Sequence, residues 1–221
     1  MLNSQTRSKQ RVADHGEVFT PSWVVNAMLD LMKQESERID SRFLEPACGT
    51  GNFLAEVLRR KLATASAKYR NSRNGCETYE LYSVIAVTSI YGVELLADNC
   101  EECRERLYDI WNTEYSAVYG ETTSYDTHDA VRYILRKNIV CGDMLATTKS
   151  DGSPIIFTEW TIHSDGYCNR REYLLSDIAA EASFANHHFN DKGEFVLNVH
   201  REYPLVHFKN LLCENAILGK T

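Results

Sequence analysis

Between residues 21 and 38, apolar side chains fall at Val24, Val25, Met28, Leu29, Leu31 and Met32. That three- and four-residue spacing places them on one helical face. Thr20 and Pro21 suit the start of this helix, since a hydroxyl caps free N–H groups and a proline at the first helical position sacrifices no bond. A short apolar run at 42–45 reads as a strand, followed by a helix from Asn52 to about Lys68 and a polar, loop-like stretch from Tyr69 to Thr78. Order resumes at Tyr79 and leads to a strand at 90–95. Cys100, Cys103, Leu107, Ile110 and Trp111 then mark the buried face of a helix between Asp98 and Asn112. Residues Thr113 to Thr127, rich in Ser, Thr and Tyr, read as an open segment before a short helix at Ala130–Lys137 and a strand at 138–141. Further strands are expected at Pro154–Thr161 and Glu194–His200, with another apolar segment at Leu205–Leu212. The alternation of strands and helices predicts an α/β domain, in which 69–89 and 113–129 lengthen the intervals as insertions. No internal repeat is visible.

The join of the first strand to its helix carries the chemistry. Phe43-Leu44-Glu45-Pro46-Ala47-Cys48-Gly49-Thr50-Gly51-Asn52-Phe53 runs from apolar residues through an acid and a proline into a tight turn with two glycines. Such a turn brings bare backbone N–H groups close to a ligand, and the helix start adds a partial positive charge that suits an anion. The string fits neither the G-x-G-x-x-G dinucleotide loop nor the phosphate-binding loop, which ends in Gly-Lys-Ser/Thr. Two further acids, Glu94 and Asp143, end later strands. Ligands of open α/β sheets bind outside those carboxyl ends. A carboxylate such as Glu94 accepts two hydroxyl protons, as a ribose would offer, and Asp143 suits an exocyclic amine.

Glu-Pro-Ala-Cys-Gly-Thr-Gly-Asn-Phe resembles the S-adenosylmethionine loop of DNA adenine N6-methyltransferases from restriction–modification systems. The resemblance extends to Gly16-Glu17-Val18-Phe19-Thr20-Pro21 upstream, and to Tyr91-Gly92-Val93-Glu94-Leu95 and Ile139-Val140-Cys141-Gly142-Asp143-Met144-Leu145 downstream. These motifs stand in the family's order over about 60% of the chain. The resemblance implies a Rossmann-like S-adenosylmethionine-dependent methyltransferase fold with an incomplete sheet. It also implies a cofactor site built from Thr20, Pro21, Glu45, Ala47, Gly49, Gly51, Asn52, Phe53, Glu94, Leu95, Asp143 and Met144. In that reading Thr20 and Pro21 hold the methionine end, Glu94 the ribose and Asp143 the adenine amine, with Met144 against the ring. Glu45 lies beneath the turn, pinning it or meeting the cofactor's amino group.

The pattern then breaks. Family members carry an Asn-Pro-Pro-Tyr/Phe motif shortly after the third, which holds the target amine and stacks the flipped base. Here Thr158-Glu159-Trp160 stands in that place, and Asn-Pro-Pro occurs nowhere in the chain. Glu–Trp at a strand end reads as plain structure or as a rearranged base pocket. No catalytic residue is assigned. About 60 residues follow that strand, too few for a full sheet plus a target-recognition domain.

Lys and Arg number 24 against 31 Asp and Glu, a net charge of −7, so the chain lacks the basic footprint of a self-sufficient DNA binder. Arg59-Arg60-Lys61, Arg136-Lys137 and Arg170-Arg171 read as solvated helix ends. The expected arrangement is a methyltransferase or methyltransferase subunit with a protein partner that supplies target recognition and the base pocket, DNA being reached through it. The alternative is a non-catalytic S-adenosylmethionine-binding or interaction protein derived from such an enzyme.

Seven scattered cysteines suit a reduced cytoplasm, and Cys100-x-x-Cys103 lacks a second ligand pair at zinc spacing, so no metal is expected. His187-His188 reads as a surface pair. No apolar run is long enough to span a membrane. Residues 1–15 read as a mobile arm ahead of a single cofactor-binding domain over 16–221.

Overall fold

The computed structural model describes residues 20–71, 79–182 and 197–212. Its elements are, in chain order, α1 (Ser22–Leu31), α2 (Lys33–Glu37), β1 (Phe43–Glu45), α3 (Asn52–Asn71), α4 (Tyr79–Thr88), β2 (Ile90–Glu94), α5 (Ala97–Tyr119), α6 (Tyr125–Asn138) and β3 (Ile139–Cys141). They continue with β4 (Ile156–Ile162), β5 (Tyr167–Leu174), α7 (Leu175–Ala182) and β6 (Arg201–His207). The chain is a mixed α/β protein with two small sheets. β1, β2 and β3 run parallel in that spatial order, and β4, β5 and β6 form an antiparallel meander.

β2 is buried at every position because it has a strand on each side and a layer on each face. Its alternate residues show what those layers are. A Cβ on Gly92 would lie 3.0 Å from Leu54 of α3, whereas the Tyr91 ring meets Phe157 of β4, 5.4 Å between centroids. Helices α3 and α5 thus cover one face of the parallel sheet and β4 packs on the other, where the Tyr91 hydroxyl donates to the Thr158 carbonyl at 2.9 Å. Trp160, also on β4, is buried and donates from Nε1 to Asn138 Oδ1 at 2.8 Å.

Several expectations are corrected. The helix expected over 21–38 breaks at Met32 (φ −120°, ψ 40°). Pro21 is its cap in extended conformation, its carbonyl accepting from Val24 and Val25, so the Thr20 hydroxyl has no capping role. Only Val25 and Leu29 of its apolar residues are buried, while Leu31 is 90% exposed. Residues 113–127 are not open. α5 runs on to Tyr119 because Tyr115 stacks on Trp111 at 4.6 Å and Tyr119 packs on Tyr115, and α6 starts at Tyr125. The stretch from Tyr69 is helical to Asn71.

Two basic clusters are misread by a surface pattern. Lys61 is fully buried, and Arg170 lies on the inner face of β5, over the Tyr203 ring. Residues 197–200 form no strand; β6 begins at Arg201 and tolerates Pro204 because it is an edge strand. Leu205 to Leu212 comprises the end of β6 and a short 3₁₀ turn at Phe208–Asn210. Residues 1–15, Gly16 to Phe19, His187-His188 and 194–196 lie outside the described residues. Cys100 and Cys103 are buried on the inner face of α5 with Leu107 and Trp111, as the periodicity indicates. Among the described residues no helix is long and apolar enough to cross a membrane.

Candidate functional site

β1 ends at Glu45, and the chain turns through Pro46 to Gly51 before α3 begins at Asn52. Backbone bonds fix this turn: Cys48 N–H to the Val93 carbonyl (2.9 Å), Gly51 N–H to the Cys48 carbonyl (2.8 Å) and Ala55 N–H to the Gly51 carbonyl (2.8 Å). Gly49 (φ 53°) and Gly51 (φ 81°) adopt the left-handed conformation that only glycine enters without cost. At Gly51 there is no room either, since a Cβ would lie 2.6 Å from Cys103 Sγ. Gly92 is small for the same reason: a Cβ there would sit 2.8 Å from Cys48 Sγ. Cys48 and Cys103 form a buried thiol pair under the turn. Their contact and their burial push the Cys48 thiol far up, so it stays neutral.

Glu94 is the anchor of the turn. Oε2 accepts from Gly49 N–H and Oε1 from Leu96 N–H, both at 2.9 Å, and the residue is buried. Each oxygen keeps a second lone pair, which is what remains for a ligand hydroxyl.

Glu45 stands in a different position. It accepts from Leu54 N–H, one of the free donors at the start of α3, an arrangement that favours the ionised form. Burial outweighs that bond, Glu94 adds repulsion, and the Glu45 carboxyl is pushed up to about 8. Its Oε2 is buried without a hydrogen-bond partner. A buried polar atom without a partner costs roughly 1–3 kcal/mol, so this oxygen is prepared for a donor that the described residues do not supply.

Asp143 follows β3, whose Gly142 N–H bonds the Glu94 carbonyl at 2.9 Å. Its Oδ1 accepts from Leu145 N–H (2.8 Å) and Ala146 N–H (3.1 Å), so the carboxylate shapes its own turn and is exposed to solvent. Leu95 (60% exposed) and Leu145 (95% exposed) leave apolar side chains beside these acids, while Met144 is partly buried against the core.

Of the residues expected in the site, the structure brings Glu45, Gly49, Gly51 and Glu94 together directly. Leu95, Asp143 and Met144 sit at the neighbouring strand ends. Ala47 is exposed on the turn. Asn52 Oδ1 accepts from the Arg106 guanidinium, and Phe53 packs on Phe43 with centroids 6.5 Å apart, so both fasten α3 to its surroundings. Thr20 and Pro21 lie on a separate element, at the start of α1, which is held to α3 by Arg60 Nη2 donating to Asn26 Oδ1 (3.0 Å). Sequence reasoning missed Cys103, Arg106 and Leu145. The helical periodicity of α5 tells that Cys103 faces inward, but not that it reaches under the turn.

Glu159 and Trp160 do not face this site. Glu159 pairs with Arg42 at 2.6 Å and accepts from the Tyr173 hydroxyl at 3.0 Å, and Trp160 bonds Asn138. Arg42 precedes β1 and Asn138 precedes β3, so the dipeptide lies at the amino ends of the parallel strands, opposite the glycine turn.

The turn, the acids at the strand ends and the parallel sheet define the class. The chain belongs to the N-6 DNA methylase family, whose model matches residues 3–135, more than half of its length. The matched stretch includes β1, the glycine turn and Glu94, and it stops ahead of β3 and Asp143. No curated protein and no solved structure matches the chain.

Proposed function

We propose that the protein binds S-adenosylmethionine at the carboxyl ends of β1, β2 and β3, on a Rossmann-like framework with a shortened sheet. It serves as the cofactor-binding subunit of a DNA adenine N6-methyltransferase of a restriction–modification system. The observation that carries this reading is Glu45 Oε2, a buried acceptor without a partner beside a glycine turn. The cofactor's α-ammonium is a donor of the right charge for it. When bound, S-adenosylmethionine supplies an activated methyl group on a sulfonium.

The chain's own residues then divide the work. Glu45 takes the ammonium, and Glu94 offers its remaining lone pairs to the ribose hydroxyls while holding Gly49. Asp143 has both of its turn bonds on Oδ1, which leaves Oδ2 for the adenine amine. Leu95 and Met144 supply apolar contact to the ring. Thr20 and Pro21 close the methionine end.

A base pocket is a separate requirement. An enzyme acting on a base must extrude it and bind its Watson–Crick edge. Glu159 and Trp160 are occupied by Arg42, Tyr173 and Asn138, which favours a partner chain as the source of that pocket and of the DNA contacts. The same observation supports a second reading, a cofactor-binding protein without methyl transfer of its own. Incubation with labelled S-adenosylmethionine and mixed-sequence DNA separates them. The subunit reading expects N6-methyladenine only when products of neighbouring genes are added. Cofactor binding with no transfer under any such combination favours the second reading.

A further inference from the structure

A cavity of about 480 Å³ opens at the amino ends of β1 and β2, on the far side of the sheet from the glycine turn. Its walls come from the α2–β1 connection, α3, α4 and the end of β4. Three features set its chemistry. The volume is that of a small-molecule site. The walls include the largely buried aromatics Tyr82 and Trp160 together with Ile39, Ile85 and Ile162, an apolar lining. Arg38, Arg42 and Lys68 line it against one acid, Asp40, in a chain whose net charge is −7.

Arg42 is held by Glu159 at 2.6 Å, whereas Arg38 and Lys68 are not locked by their present contacts. Arg38 meets Glu35 and Asp40 at 3.3 and 3.4 Å, and all three side chains are more than half exposed. Exposed pairs of this kind contribute little. The Lys68 ammonium rests over the Tyr82 ring, 4.8 Å from its centroid, and no described carboxylate pairs with it. The wall beneath is rigid. Buried Lys61 donates to the Ile39 carbonyl (3.1 Å), the Ser41 carbonyl and Ser89 Oγ (2.7 Å), fixing the connection into β1 and the start of β2.

We infer that this cavity is a second ligand site, for a nucleoside monophosphate whose ring lies between the apolar walls and whose phosphate meets Lys68 and Arg38. A planar ring explains the aromatic walls, and a dianion is the group that several converging cations select. The site is separate from the proposed cofactor site and does not rest on it.

With saturating S-adenosylmethionine present to fill the proposed cofactor site, calorimetric titration of the intact chain with adenosine 5′-monophosphate, adenosine and inorganic phosphate is the test. The nucleotide is expected to saturate the protein, with adenosine and phosphate each binding more weakly. Lys68→Ala, an exposed position on α3, is expected to weaken the nucleotide about tenfold, the loss of one charge-assisted hydrogen bond, and to leave adenosine unchanged. Asp143→Ala, at the opposite end of the strands, is expected to leave nucleotide affinity unchanged. Any of three results would overturn the inference: no nucleotide binding at millimolar concentration, phosphate binding as tightly as the nucleotide, or loss of binding in Asp143→Ala with retention in Lys68→Ala.

Discussion

Glu45, half-buried with one oxygen fully enclosed, and Lys61, fully buried, are ionisable side chains at opposite ends of β1, and they are treated in opposite ways. Lys61 has three acceptors for its ammonium: the Ile39 and Ser41 carbonyls and Ser89 Oγ. Burial, joined by the nearby Arg38, pulls it down to about 7 against the attraction of Asp40 and Glu35. Glu45 has one bond from Leu54 N–H and an orphaned Oε2, and burial drives it up to about 8. A buried polar group with every bond made is architecture. One with a bond missing, beside a glycine turn and a second acid, is where the proposed ligand would complete the structure. At the amino end of β1 Lys61 has its bonds made beneath the cavity floor; at the carboxyl end Glu45 leaves one unmade.

Removing each group should break this symmetry most visibly. Lys61→Ala opens a cavity and strands three acceptors, and it is expected to lower stability by about 3–5 kcal/mol in denaturant unfolding. Glu45→Gln keeps the shape and replaces a carboxyl that is mostly neutral at pH 7, so its change should stay within about 1 kcal/mol. Equal costs would contradict the division. Glu94→Ala comes next, at about 2–4 kcal/mol, because Gly49 and Leu96 N–H both lose their acceptor. An unchanged unfolding midpoint there would remove Glu94 as the anchor of the turn.

The legible part of this molecule was the part fixed by local pattern. Glu45, the two turn glycines, Glu94 and Asp143 follow from their place in short motifs, and the strands that carry them fall within two residues of expectation. What the sequence hid depends on distant partners. Lys61 reads as surface charge until Ile39, Ser41 and Ser89 close around it. Residues 113–127 read as open because Ser, Thr and Tyr are turn-like in composition, yet Tyr115 and Tyr119 extend the aromatic stack of Trp111. β5 was missed since Arg170-Arg171 puts two charges in succession, and the burial of Arg170 rests on Tyr203 of β6, beyond the reach of a local window. Trp160 illustrates the reverse error: an aromatic after an acid suggested a pocket, and Asn138 claims it for the core.

Smaller effects sharpen the carboxyl end further. Gly51→Ala adds a Cβ 2.6 Å from Cys103 Sγ at φ 81° and is expected to cost about 1–3 kcal/mol. Cys103→Ala in the same chain should return part of that cost, a coupling that a double-mutant cycle reads directly. Additive losses would mean that the thiol does not limit the turn.

The pH dependence reads the same two groups by a separate route. Glu45 has its folded pKa raised from 4.5 to about 8, so the folded state holds the extra proton and stability falls as pH rises through that window. Lys61 is lowered from 10.5 to about 7, so the unfolded state holds the extra proton and stability rises from pH 7 toward 10.5. Unfolding of Glu45→Gln across pH 5 to 10 should lack the first slope and keep the second.

Cofactor binding tests the central claim most directly. An ammonium placed against Glu45 Oε2 favours the carboxylate, so binding near pH 7 must release a proton that the free protein holds. Calorimetric titration with S-adenosylmethionine in two buffers of different ionisation enthalpy measures that release. The account predicts single-site binding with up to one proton released by the wild type and none by Glu45→Gln. Absence of binding by the folded wild-type chain, or binding with identical heats in both buffers, would contradict it.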